Sequence, residues 1–467
     1  MTSPPPLSPS GSLSFHGAVR TVTGSRFLVE RGADRVLVDA GMFQGLRELR
    51  RRNWEPPPVR PTELDAVVLT HAHLDHTGYL PRLVRDGFAG PVLCSAETAA
   101  LTEIVLRDSA HLQEEDARQA NEGGWSRHRP ALPLYDTADV EKALPLLRPV
   151  RFQEPCRVGD AITVTLQPAG HILGSAVAVL DVGGHRVAFS GDLGRAGHPL
   201  LLPPPPPPRV DTLVVESTYG DRRHPDPDPE ILAEAIRRTA SRGGVVLMPA
   251  FAVDRTELVI LELRRLVEEG RIPELPIYID SPMALDTLAV YQRALHEASP
   301  QLRPGRALAL DQLDRLDIHR VRDAQGSERL NQPGEPCIIV SASGMATGGR
   351  VVHHLAHQLP DPRNSVVLTG YQAEGTRGRQ LLQGATHLRL HGRYVSVRAE
   401  VVDVQDFSVH ADADELVAWV ASAPAPPRTV YVVHGEADAS AALARRIEQE
   451  LGICAVVPRL GERVRLA

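Results

Sequence analysis

His71-Ala72-His73-Leu74-Asp75-His76 follows the apolar run Ala66-Val67-Val68-Leu69-Thr70 and precedes Thr77-Gly78. Four strong ligand side chains stand within six positions, directly after a predicted strand. Imidazole nitrogens beside a carboxylate suit zinc and similar borderline cations. The alternating spacing lets His71 and His73 point one way while Asp75 and His76 reach a second ion. The rival reading is a polar, histidine-rich surface loop, but such density after a buried strand is rare.

Working outward, the same placement recurs. Arg35 to Val38 leads to Asp39. Ala161 to Leu166 leads to Pro168-Ala169-Gly170-His171. Arg186 to Phe189 leads to Ser190-Gly191-Asp192. Thr212 to Val215 leads to Glu216, and Thr429 to Val433 leads to His434-Gly435. Each time a ligand-type residue stands just past the C-terminal end of a strand, the edge where layered α/β folds build sites. His171 would join His71 and His73 on one metal, and His434 would join Asp75 and His76 on the other. Asp192 could bridge both. Two metals about 3.5–4 Å apart bind hydroxide at neutral pH and clamp an in-line displacement at phosphorus.

Composition bounds the rest. The chain has 467 residues, 42% hydrophobic and 23% charged, with a formal charge of −7. That length suggests two domains and allows one to be inserted in the other. An acidic whole leaves nucleic acid only a local basic groove. Lys142 is the one lysine; arginine suits bidentate phosphate contacts. Cys94, Cys156, Cys337 and Cys454 are far apart, which argues against a zinc ribbon or a disulfide framework and fits reduced thiols in the cytoplasm. No apolar run is long enough to span a bilayer. Residues 1–11 read as a disordered tip, with no signal-peptide pattern. Pro203 to Pro208 reads as a stiff connection in preference to a docking site.

After Asp221 the texture changes. Pro229 to Ala240 and Arg255 to Glu269 are helical in pattern. Val245 to Pro249, Pro276 to Ile279, Cys337 to Val340 and Ser365 to Leu368 read as strands of a parallel α/β unit. Val395 to Val404 reads as a return of the first half's strand texture.

Together these residues resemble the metallo-β-lactamase superfamily, through the His71–His76 cluster, His171, Asp192 and His434. Asp39 fits that family's first strand-end aspartate, a residue that orients ligands. More narrowly, the chain resembles the β-CASP branch, nucleases related to the cleavage subunit of mRNA 3′-end processing. Glu216 in Val215-Glu216-Ser217-Thr218-Tyr219-Gly220 matches its first extra motif. His410 in Asp406-Phe407-Ser408-Val409-His410-Ala411-Asp412 matches its second, and His434 its third. The likeness spans about Gly17 to Gly435.

The resemblance implies an αββα sandwich of residues 12–217 and 407–467, with an inserted α/β β-CASP domain over 218–406. It implies two zinc ions per chain and single-stranded RNA as substrate, since a histidine at His434 resembles RNA-processing members. No membrane contact is expected, and a homodimer is left open. Phosphodiester hydrolysis would use a hydroxide held by the metals, with Asp75 in the catalytic centre and Glu216 and His410 assisting the leaving group. The chain ends about thirty residues after His434, without the extra domain of the bacterial exonucleases with 5′ polarity, which leans towards endonuclease action.

Three loops are similar to family loops facing the cleft. One runs through Ser341, Ser343, Gly344 and Met345, and one carries Arg255. The third carries Tyr371 and Arg377, suited to stacking and phosphate contacts. Asp254 departs from the family, which has a neutral residue there. His353, His354, His357, His387 and His391 read as surface residues. The arginine run at Arg47, Arg50, Arg51 and Arg52 reads as a solvated face, with the lining of an RNA path as the alternative. The alternatives are a metal-dependent hydrolase of small esters or thioesters and an inactive RNA-binding scaffold. The inserted unit discriminates against the first, and the complete ligand set against the second.

Overall fold

The structure, a computed structural model, describes residues 11–124, 126–303, 305, 310–311, 313 and 316–466. Most of the expected disordered tip lies outside the described residues. Gly11 itself opens the strand Gly11–Phe15, which is buried along its length between Phe27–Arg31 and Arg463–Leu466.

Two seven-stranded sheets face each other. The first runs Arg463–Leu466, Gly11–Phe15, Phe27–Arg31, Asp34–Val38, Ala66–Val68, Val92–Cys94 and Leu147–Pro149. The second runs Cys454–Val456, Thr429–Val432, Thr212–Val215, His185–Phe189, Ala176–Val182, Ile162–Pro168 and Cys156–Val158. Period-two alternation sends one set of side chains inward, so Phe15, Phe27, Val29 and Val36 meet Val164, Leu166, Leu180 and Phe189 in a shared core. The opposite set meets helices. Leu37, Val67 and Leu69 pack under Leu80, Leu83 and Leu106 on one side. Val177, Val179 and Leu213 pack under Leu416, Val420, Leu443 and Ile447 on the other. The result is the expected αββα sandwich.

The chain leaves this sandwich after Thr212–Val215 and returns at Thr429–Val432, and these two strands are parallel neighbours, Val214 opposite Tyr431. Between them it builds a six-stranded parallel sheet, ordered Ile318–Arg320, Ile277–Ile279, Cys337–Ser341, Val245–Pro249, Ser365–Leu368 and Glu400–Asp403. Its central strands are apolar without alternation because helices cover both faces. The texture at Val395 to Val404 therefore belongs to the insert. Arg393–Ser396 closes a hairpin with His387–Leu390, and Glu400–Asp403 is an edge of the parallel sheet.

One apolar cluster joins the two bodies. Leu101, Val105, Ile172, Leu200 and Leu201 of the sandwich pack with Leu258, Leu285, Leu288 and Tyr291 of the insert. The proline run is held where the Trp419 indole donates to Pro205 O at 2.8 Å. Among the described residues no helix is long and apolar enough to cross a membrane.

Candidate metal centre and nucleic-acid cleft

Every strand-end residue singled out above lands in one place. His71 Nε2 lies 3.2 Å from His73 Nδ1 and 3.4 Å from Asp192 Oδ2, and His171 Nε2 lies 3.4 Å from His73 Nδ1 and 3.7 Å from Asp192 Oδ2. On the other side, His434 Nε2 is 3.2 Å from His76 Nε2 and 3.4 Å from Asp75 Oδ2, and His76 Nε2 is 3.4 Å from Asp192 Oδ1. Asp192 thus turns one oxygen to each set. Ligand atoms about 2.0–2.1 Å from a tetrahedral zinc stand about 3.4 Å from one another, which is the spacing found. Asp192 Oδ1 is buried and makes no hydrogen bond, an arrangement that costs about 1–3 kcal/mol unless a cation compensates. The donor set fits a metal on these grounds.

Local sequence explains the convergence. His73 ends its extended segment as the residue before the short helix Leu74–Thr77, so Asp75 and His76 swing to the opposite side. Gly191 sits at φ +56°, and a Cβ there would lie 2.7 Å from Thr70 Cβ, so the turn that delivers Asp192 needs glycine. Asp39 and His434 hold positive φ values of 59° and 49° without being glycine, strain of the kind found at functional sites. Asp39 accepts from Thr70 N at 2.8 Å and Thr70 Oγ1 at 2.9 Å, and meets His76 Nδ1 at 2.7 Å. Thr218 Oγ1 lies 3.2 Å from His434 Nδ1. Thr70 and Thr218 position the rings of His76 and His434, yet nothing in their spacing marks them in the sequence.

Burial and crowded imidazoles hold His71 and His171 well below the ordinary histidine pKa, and burial brings His73 to about 4. These rings stay neutral, the form that binds metal. Burial also opposes charge on His76, but Asp192 and Asp39 outweigh it and hold its pKa well above the ordinary value. For Asp192 burial favours the neutral acid, and His434, His76 and His71 overcome it and keep the group well below the usual carboxylate range.

Beside the donors, His410 Nδ1 stands 3.3 Å from Glu216 Oε1 and 4.0 Å from Asp192 Oδ2. Glu216 is fully buried and fixed by Leu193 N at 2.7 Å and Thr218 N at 3.2 Å. His224, unmarked in the sequence, holds the His410 carbonyl at 2.9 Å through Nε2.

Above the donors opens a cleft of about 1710 Å³ between sandwich and insert, lined by His73, Asp75, His171, Asp192, His410 and His434 at its floor. Of the expected substrate contacts, Arg255, Ser343, Met345, Tyr371 and Arg377 line it, and Ser341 and Gly344 do not. The Ser341 hydroxyl is buried and donates to Asp280 O at 3.0 Å. Gly344 serves packing, since a Cβ would lie 2.6 Å from the Phe251 ring. Arg377 ties its loop to the neighbouring loop that carries Ser343 and Met345 by donating to Ala346 O at 3.0 Å and Thr347 O at 2.9 Å. Arg255 is buried, donates to Thr369 O, and is lowered to about 10 by burial.

One of the side chains above sits otherwise than its sequence suggests. His354 is fully buried, not on the surface: Nε2 lies 2.6 Å from Asp280 Oδ2, and the same carboxylate takes Arg350 on Oδ1. Helical periodicity alone could not choose its face. Asp254 makes no cleft wall. Its carboxylate takes His198 Nε2 at 3.0 Å and the Tyr291 hydroxyl at 2.6 Å, and that hydroxyl accepts from Leu173 N at 3.1 Å. This chain of bonds ties the insert to the loop that carries His171. His353 and His391 do reach the cleft, their rings 4.3 Å apart.

Comparison with known proteins agrees with this geometry. Residues 20–238 match the metallo-β-lactamase superfamily, 256–381 the Beta-Casp domain, and 394–458 a Zn-dependent metallo-hydrolase RNA specificity domain. A Thermus thermophilus protein named as a ribonuclease is 38% identical over 96% of this chain and 98% of its own length. An RNase J-like protein of Methanocaldococcus jannaschii is 32% identical over 96% and 98%. The transcription termination factor FttA of Pyrococcus horikoshii is 33% identical over 96% of this chain and 70% of its own. A solved structure from Enterococcus faecalis, of unknown function, shares the fold with a TM-score of 0.52 at 14% identity, covering 98% of this chain and all of that one. The chain belongs to the β-CASP ribonuclease family of the metallo-β-lactamase superfamily.

Proposed function

We propose that this protein is a zinc-dependent ribonuclease that hydrolyses phosphodiester bonds of single-stranded RNA at a binuclear centre. One observation carries the reading: two clusters of candidate ligands, with one Asp192 oxygen turned to each, lie at a cleft that Arg377 and Tyr371 also line. His71, His73, His171 and Asp192 would hold one ion, and Asp75, His76, His434 and Asp192 the other. When bound, such ions provide a water that ionises near neutral pH and neutralise charge building on the phosphate.

The chain's own groups do the rest. Glu216, fixed by two backbone amides, faces His410 Nδ1 and holds the ring with Nε2 free for the substrate. His410 then donates its Nε2 proton to the departing sugar oxygen. Tyr371, edge-on to Tyr219 with ring centres 5.6 Å apart, offers a base a stacking partner. The insert forms the roof of the cleft above this floor.

The test measures RNA cleavage and bound metal before and after Asp192→Ala. Removing the shared carboxylate should release metal and cut the rate by about 10³-fold or more, beyond the effect of deleting one transition-state hydrogen bond. Unchanged cleavage would refute the reading. Mapping products from 5′-labelled RNA separates internal cuts from removal at an end.

A further inference from the structure

The hairpin His387–Leu390 and Arg393–Ser396 stands at the cleft mouth, where Arg389, His391 and Gly392 help to line it. His391 and Gly392 both hold positive φ, 45° and 76°, so a two-residue turn closes the ribbon and sets Arg389 opposite Tyr394. Leu388 and Leu390 face inward and are buried. His387, Arg389 and Tyr394 form the outward face, and Tyr394 is 77% exposed. Its ring is open to solvent.

From Arg377 to Ala399 the chain carries five arginines, Arg377, Arg379, Arg389, Arg393 and Arg398, with His387 and His391 and no carboxylate, in a protein of net charge −7. Arg379 meets Glu436 at 3.7 Å. Several helical arginines elsewhere are neutralised in the same way: Arg118 by Glu115 and Glu122, Arg265 by Glu262 and Glu269, Arg446 by Asp414 and Glu450. Among the described residues Arg389 and Arg393 have no such ion pair. A flat aromatic ring set among uncompensated guanidinium groups, with the hairpin's leucines turned inward, suits a polyanion with stackable bases and not a protein interface core.

We infer that this hairpin is a second binding surface for single-stranded RNA, which grips the strand outside the cleft through Arg389 on the outward face and Arg393, exposed beside the turn, and stacks a base on Tyr394. The inference rests on the ribonuclease reading above and extends its substrate beyond the reacting nucleotides. The path is continuous. Arg377 in the cleft reaches Arg389 O at 3.4 Å, and His391, beside His353, carries the wall to the hairpin turn.

The experiment compares the parent with Tyr394→Ala and the double variant Arg389→Ala/Arg393→Ala on single strands of about 5 and about 20 nucleotides, lengths that fall below and above the span of a typical single-strand site. Binding is measured with metal-free protein, and cleavage with zinc added. Tyr394→Ala should weaken binding of the longer strand about tenfold and lower the ratio of long-strand to short-strand cleavage, while Tyr394→Phe restores both. The arginine pair should flatten the slope of log affinity against log salt by about 1.4, about 0.7 for each phosphate left without its guanidinium. Equal affinities and slopes in all variants would overturn the inference. The two readings fail separately. A parent that binds the long strand but cleaves neither defeats the ribonuclease reading, and one that cleaves both strands with no effect of the variants defeats only the hairpin.

Discussion

Buried histidines occupy both the floor of the cleft and its roof, and they are treated in opposite ways. On the floor, His71, His73 and His171 turn ring nitrogens towards one another at 3.2 to 3.4 Å, with one shared carboxylate. In the roof and its seam, each ring has its own protein partners. His198 takes Leu200 N and Leu201 N on Nδ1 and gives Nε2 to Asp254, and His354 sits between Asn331 and Asp280. A satisfied imidazole has no lone pair left for a cation. Ring nitrogens that converge on one another with no separate partner make little sense except around one. Burial alone therefore does not identify a ligand; what the second nitrogen faces does.

The sharpest way to break this contrast is at His410, which stands on the floor yet has a carboxylate partner. If it moves a proton and holds no metal, His410→Ala should lower kcat by about 10²–10⁴-fold with metal content retained. Loss of metal in His410→Ala would instead make it a ligand. Next in size is Asp39, whose work is to aim His76. Asp39→Asn should weaken zinc by about 10–100-fold, read by competition with a chelator. Unchanged affinity would mean the ring is positioned by Thr70 and packing alone.

The same contrast explains what the sequence can reveal. Floor residues are legible because ligand-type side chains stand at strand ends, and strands show themselves by apolar runs. The strands Val245–Pro249, Thr212–Val215 and Ser365–Leu368 fall where their patterns place them. The insertion is legible because the texture changes to strand and helix alternation. The roof's network is not. His198, Asp254 and Tyr291 meet only through tertiary packing, share no spacing, and carry no common periodicity. His354 reads as a surface residue because a polar side chain on a short helix ordinarily faces water, and only Asp280 overrides that. The start of the first strand is hidden because Gly and Ser read as turn residues, although here the sheet's neighbours pair both edges of Gly11–Phe15.

Tyr291 tests whether roof and floor are coupled or merely adjacent. Its hydroxyl bridges Asp254 and the amide of Leu173, two residues beyond His171. Tyr291→Phe keeps the ring in its apolar seam but leaves a buried N–H and one carboxylate oxygen unpaired. Stability should fall by about 1–3 kcal/mol, measured by denaturant unfolding. If the bridge also sets the His171 loop, zinc affinity should fall by about tenfold, the low end for an orienting contact. A stability loss with unchanged zinc affinity would leave the two regions joined only by packing.

The smallest effect concerns Glu257, in the first turn of the helix Arg255–Glu268. Both of its carboxylate oxygens are buried without a hydrogen-bond partner. Burial first, and the neighbouring Asp254 second, push its pKa well above 4.5. A carboxyl that holds its proton more tightly when folded supports the fold below its unfolded pKa. That support fades as pH rises above the unfolded value towards the folded one. The protein should therefore lose stability between about pH 5 and pH 8 through this group, and Glu257→Gln, which cannot ionise, should remove the loss. The variant's melting temperature should exceed the parent's by about 2–4 °C more at the higher pH than at the lower. An equal difference at both values would mean that Glu257 carries its charge inside the folded protein. The roof would then hold an unpaired buried charge, as the floor does, and the division between them would need another basis.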